Sequence, residues 1–134
     1  MSDVILSLDL SSEVPIYQQI RDQVVLAVAE GELARGSALP STRQLAADLG
    51  INFHTVTKAY DLLRREGLLQ INRKSGAVVR RDPASGPAEP AFTAEWSGRL
   101  RTLLAEAVAQ GLDVPTVLAT CAATAADFGT KGES

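Results

Sequence analysis

Apolar residues along this chain recur mainly at the three- and four-residue steps of a helix, and glycine or proline punctuates the runs. Ile16, Ile20, Val24, Ala27 and Val28 share one face of a helix that starts near Pro15, a residue suited to a first helical position. Gly31 is its stop, and residues 32–40 read as a loop. Ser41 with Gln44 three residues later has the capping-box pattern, so a second helix begins at Ser41. Its inner face is Leu45, Ala46 and Leu49, and Gly50 ends it. Asn52 is a good N-cap for a third helix, whose buried stripe is Val56, Ala59, Tyr60 and Leu63 and which Gly67 closes.

A two-residue period occurs in fewer places. Residues 4–10 alternate apolar and polar side chains and predict a short strand. Residues 68–72 and 77–81 predict two strands around a tight turn at 73–76. Residues 82–90, DPASGPAEP, hold three prolines and a glycine and read as a linker. Beyond it, Phe92, Trp96, Leu100, Leu103, Leu104, Ala107 and Val108 mark a helix over residues 93–110, stopped by Gly111. Asp113 and Pro115 open a last helix with Val114, Val117, Leu118, Cys121, Ala125 and Phe128 on one stripe. Two helices are too few to enclose a core, so these stripes are expected to meet each other and a second copy of the chain.

The expected fold is therefore mostly α with a small β-hairpin: a winged helix-turn-helix followed by a two-helix dimerisation tail. The expected boundaries are 1–81 for the first domain, 82–91 for the linker and 92–134 for the tail.

Composition supports one small domain with an appendage. The chain has 134 residues, 46% hydrophobic and only 4% aromatic, which suits a helical protein with a packed core. A lone cysteine, Cys121, excludes a disulfide framework and fits a reducing cytoplasm. No run approaches membrane-spanning length, and the N-terminus lacks the cationic start and apolar run of a signal peptide.

Charge changes the picture more. The net charge is −3, but residues 35–81 carry nine Lys or Arg against three acids, while both flanks are acidic. A basic middle between acidic segments is an electrostatic footprint for nucleic acid, and a winged helix-turn-helix places one helix in the major groove of double-stranded DNA.

The same residues carry a resemblance. Pro15-Ile-Tyr-Gln-Gln-Ile, Gly31-Glu-Leu, Leu39-Pro-Ser-Thr-Arg-Gln-Leu-Ala, Gly50, Thr55-Val56, Lys58-Ala-Tyr and Glu66-Gly-Leu occur in the order found in the DNA-binding domain of GntR-family transcription regulators. Residues 14–81 resemble that domain, and the short tail resembles the YtrA subfamily, in which such a tail serves dimerisation. The resemblance implies a DNA-binding regulator acting as a homodimer on a near-palindromic operator, and the YtrA type suggests repression of nearby genes.

Arg43 lies on the outer side of the second helix, and the resemblance implies that it reaches DNA. Its planar fork suits guanine edges and phosphates. Asn52, His54, Thr55 and Lys58 lie at the start and on the outer side of the third helix, where a recognition helix reaches furthest into the groove. Asn52 has a second reading, as N-cap alone. His54 is the lone histidine and has no ligand spacing to Cys121, so a groove-facing donor is preferred to a metal ligand. Phe53 stands where the family more often has a polar residue or proline; it packs locally or meets a thymine methyl. Arg64 and Arg65 favour the helix C-terminal dipole and are candidates for phosphate. Arg73, Lys74 and Gly76 form the wing, which lacks the first glycine and the aromatic of the usual family pattern; Lys74 substitutes charge.

Phe92, Trp96, Leu100, Leu103, Leu104, Val117, Leu118 and Cys121 are the expected dimer interface, although Phe92 and Trp96 could also line a ligand site. No glycine-rich phosphate loop, nucleophile–histidine pair or carboxylate constellation is present, so no enzyme activity and no cofactor are expected. Two alternatives stay open: a regulator sensing an unknown small-molecule effector at the dimer interface, and a winged-helix adaptor that binds no DNA.

Overall fold

The computed structural model of the chain describes residues 6–72 and 76–129. They fall into two units, divided between Ser85 and Gly86.

In the first unit, α1 (Ile16–Ala29) buries Ile20, Val24, Ala27 and Val28, as the sequence predicts; Pro15 is the residue just ahead of the helix, with extended backbone. Gly31, at φ +85°, lets the chain leave α1: the Gly31 amide donates to the Val28 carbonyl and the Glu32 amide to the Ala27 carbonyl. Strand β1 (Ala38–Leu39) follows, then α2 (Thr42–Leu49). The Ser41 hydroxyl accepts from the Gln44 amide at 3.1 Å. Only this half of the capping box forms, because the Gln44 side chain donates to Asp48 instead. Helix α3 (Phe53–Arg65) buries all four residues of its expected stripe, and its Asn52 cap accepts from the His54 amide at 2.8 Å.

Strands β2 (Leu69–Asn72) and β3 (Gly76–Val79) pair antiparallel, with Leu69 opposite Val79 and Asn72 opposite Gly76. The expected hairpin is in fact part of a three-stranded sheet, order β1-β3-β2, with Ala38 opposite Val78 and Leu39 opposite Ala77. Residues 32–40 are thus not all loop. An open edge on β3 leaves backbone donors and acceptors unpaired, and two residues ahead of α2 satisfy them. Leu39, Leu69, Ala77 and Val79 then face the core formed by α1, α2 and α3.

The expected strand over residues 4–10 is also corrected. Val4 and Ile5 lie outside the described residues, and Leu6 to Leu10 form no strand. Leu6 and Leu8 pack against the core, whereas Leu10, on the same side of the alternation, is 77% exposed. Glutamine side chains take the place of a partner strand. Gln23 Oε1 accepts from the Ser7 amide at 2.9 Å while its Nε2 donates to the Ser7 carbonyl, and Gln19 pairs with the Asp9 backbone in the same way. A carboxamide offers the same acceptor–donor pair as a peptide unit.

Within the linker, Pro83–Ser85 make one 3-10 turn. Asp82 anchors it, accepting from the Arg35 amide at 2.8 Å and the Ala84 amide at 2.9 Å. These bonds, the Arg35 one foremost, hold the Asp82 carboxyl below the usual carboxylate range.

The second unit consists of α4 (Pro90–Ala109) and α5 (Val114–Gly129), which contact each other. Helix α4 starts three residues earlier than the sequence predicts and takes in the last residues of the expected linker. Pro90 is tolerated there because the first turn has no use for its missing N–H. Gly111, at φ +104°, turns the chain out of α4, and the Asp113 carboxylate accepts from the Thr116 amide to cap α5.

Candidate nucleic-acid interface

The α2–turn–α3 unit presents its polar side outward. Leu45, Ala46, Val56, Ala59, Tyr60 and Leu63 are buried, which leaves Arg43, Asn52, His54 and Lys58 exposed and Thr55 half-buried. Arg43, Ala46, Ala47, Ile51, Asn52, Phe53 and His54 line one open concavity of about 470 Å³. The concavity is open to solvent and carries Arg43 at its lining, so it is not an enclosed ligand cavity.

Two aromatic rings seat the cations of this face. The Arg43 guanidinium carbon lies 4.1 Å from the centroid of the Phe53 ring, and the Lys58 ammonium lies 4.1 Å from that of Tyr17 on α1. The Phe53 and His54 rings are also 4.1 Å apart, tilted by 33°. Phe53 packs locally, against the core cluster and the His54 ring. Neither Tyr17 nor Phe53 stands out as a cation partner in the sequence. An aromatic directly after a capping asparagine, ten residues beyond an outward arginine, was the available signal for Phe53.

Asn52 takes the capping role, since its side-chain oxygen is committed to the His54 amide. Arg64 and Arg65 both bind Asp61, through its Oδ1 at 2.6 Å and its Oδ2 respectively. Hydrogen bonds from Arg64 and then Arg65 hold the Asp61 carboxyl below the usual carboxylate range. The two arginines thus carry a local counter-charge, which weakens their claim on phosphate. Arg21 of α1 meets Glu66 in a two-point pair, Nε to Oε1 at 3.0 Å and Nη2 to Oε2 at 3.2 Å, and ties α1 to the end of α3. In the wing, Gly76 opens β3 with φ +75°, a conformation that favours glycine. Arg73 and Lys74 lie outside the described residues.

In the second unit Phe92, Trp96, Leu103, Leu118 and Cys121 are exposed, with Leu118 at 62%, and Leu100 and Leu104 are half-buried. Val117 is already buried within the single chain and offers no surface to a partner. Among the described residues no group of His, Cys, Asp and Glu side chains could hold a metal ion, and no helix is long and apolar enough to cross a membrane.

Comparison with known proteins agrees with this geometry. The family model for bacterial regulatory proteins of the gntR family matches residues 16–79. The HTH-type transcriptional regulator Rv1152 of Mycobacterium tuberculosis is 32% identical over 98 residues, which cover 73% of this chain and 81% of that protein. The HTH-type transcriptional repressor YtrA of Bacillus subtilis is 38% identical over 74 residues, 55% of this chain and 57% of that protein. The match thus spans little more than half of YtrA. The solved structure of YtrA from Sulfolobus acidocaldarius, a GntR-family transcription factor, is 39% identical with a TM-score of 0.62, covering 78% of this chain and 98% of that one.

Proposed function

This chain belongs to the GntR family of bacterial regulatory proteins, in its YtrA-like branch, and from that premise we propose that it is a homodimeric, cytoplasmic repressor of transcription with no enzymatic activity. One observation carries the DNA-facing assignment: Arg43 of α2 and the exposed start of α3 share one open face. In this reading Arg43, Thr55 and Lys58 recognise the operator, His54 donates into the groove, and Arg73, Lys74 and Gly76 of the wing meet phosphate. Repression is carried over from the Bacillus relative, a transcriptional repressor.

Dimerisation is supported by the apolar residues that α4 and α5 leave in solvent, Phe92, Trp96, Leu103 and Leu118 among them. A two-fold dimer presents two recognition helices and calls for a near-palindrome with half-sites ~10 base pairs apart. Selection of bound DNA from a random pool by the full chain tests this reading. A two-fold related consensus is the expected result, and recovery of unrelated sequences in a salt-sensitive manner would reduce the chain to a non-specific binder.

A further inference from the structure

Arg43 and Phe53 come from different helices, and the Arg43 guanidinium carbon lies over the Phe53 ring, 4.1 Å from its centroid, on the open side of the α2–α3 unit. Phe53 is the first residue of α3, directly after the Asn52 cap, and it is half-buried against the core cluster. Its ring is therefore held in place by packing, whereas Arg43 is exposed. Among the described residues no ion pair engages Arg43; the pairs formed there use Arg21, Arg64, Arg65 and Arg99. The aromatic ring is what limits the freedom of this side chain.

The geometry of stacking matters here. A guanidinium that stacks flat on a ring keeps its N–H donors pointing outward in its own plane. The fork stays available for two parallel bonds to the edge of a guanine, but in a restricted set of orientations. A lysine gains no such direction from a ring, because its ammonium has no plane; the Lys58–Tyr17 contact localises a charge without aiming a donor pair.

We propose that Phe53 is a positioning residue for DNA recognition, whose ring aims the Arg43 fork and so sharpens base preference at the position Arg43 faces. The inference rests on the reading of Arg43 as a groove contact. Phe53 makes the ordering of Arg43 part of the free protein, so less freedom is lost on binding, and orientations that suit other bases are disfavoured before DNA arrives.

The test uses the full chain and the operator obtained by selection, with equilibrium binding to that operator and to each of its single base-pair variants. The parent is compared with Phe53→Leu, Arg43→Ala and the double variant. Phe53→Met is a second apolar replacement should the leucine variant fail to fold, and Phe53→Tyr restores a ring. Loss of the ring contact is expected to weaken operator binding about two- to five-fold, the size of an exposed cation–ring contact. The discrimination lost with it should lie at the base pair whose preference Arg43→Ala erases. Phe53→Leu should then have no further effect in the Arg43→Ala background, and Phe53→Tyr should bind as the parent does. A Phe53→Leu loss that persists undiminished without Arg43, or no loss at all, overturns the positioning role alone. An Arg43→Ala variant that binds the operator as well as the parent overturns the recognition reading of Arg43 and the positioning role together.

Discussion

The Tyr60 hydroxyl donates a 2.8 Å hydrogen bond to the Pro40 carbonyl, tying the middle of α3 to the residue just ahead of the α2 cap. Tyr60 is 1% exposed, so its ring fills the core while its one polar atom reaches the backbone that starts the neighbouring helix. Tyr60→Phe keeps the ring and removes the bond. It should cost ~0.5–1.5 kcal/mol, read as a lowered midpoint in thermal or urea unfolding. Burial also raises the Tyr60 pKa above its ordinary value. The folded state therefore favours the neutral phenol, and its stabilising contribution is present below pH ~10 and declines as pH rises beyond that. The parent should lose stability at alkaline pH more steeply than Tyr60→Phe, and equal slopes would show that this phenol does not control alkaline unfolding.

Arg43→Ala should weaken operator binding by ~1–3 kcal/mol if the guanidinium makes a bidentate base contact. It should also relax preference at a single operator position while leaving affinity for random DNA nearly unchanged. A loss spread evenly over all sequences, measured by competition with random duplex, would make Arg43 a phosphate contact instead.

The wing is expected to supply affinity and little specificity. Arg73 and Lys74 follow Asn72 at the end of β2, and both side chains are long enough to reach a phosphate. Each phosphate contact contributes roughly 0.9 to the slope of log K against log salt. Arg73→Ala with Lys74→Ala should lower that slope by about two and weaken operator and random DNA alike. A double variant that keeps its slope but no longer distinguishes operator from random DNA would make the wing a reader of bases.

Leu118 on α5 and Leu103 on α4 are 62% and 60% exposed in the single chain. An aspartate at either place would put an unpaired charge into an apolar dimer interface. Leu118→Asp and Leu103→Asp should give monomers in sedimentation equilibrium with an intact first unit by circular dichroism. Because the two half-sites are no longer tethered, operator affinity should fall by ~10²-fold or more. Variants that sediment as the parent does would place the interface elsewhere.

The helices of the first unit were legible in the sequence because their signals are local. The stripe of Val56, Ala59, Tyr60 and Leu63 needs only helical spacing, and Ser41, Asn52 and Gly50 act on their own helix ends. The outward position of Arg43 and Lys58 follows from the same spacing. Tertiary structure decided what depends on partners distant in sequence. Residues 38 and 39 are a strand only because the edge of β3 lies beside them, and two residues carry no period of their own. The alternation over residues 4–10 predicts a strand, but whether a strand or two glutamine side chains would pair with the backbone of Ser7 and Asp9 depended on how α1 lies. Asp61 reaches Arg64 and Arg65 within one helix, a spacing visible in advance. The meeting of Arg43 with Phe53, and of Lys58 with Tyr17, required helices packed at a particular distance. The sequence by itself thus determined which residues face outward on each element, since that is a matter of period; the fold decided which of them touch, since a contact between elements is a matter of packing.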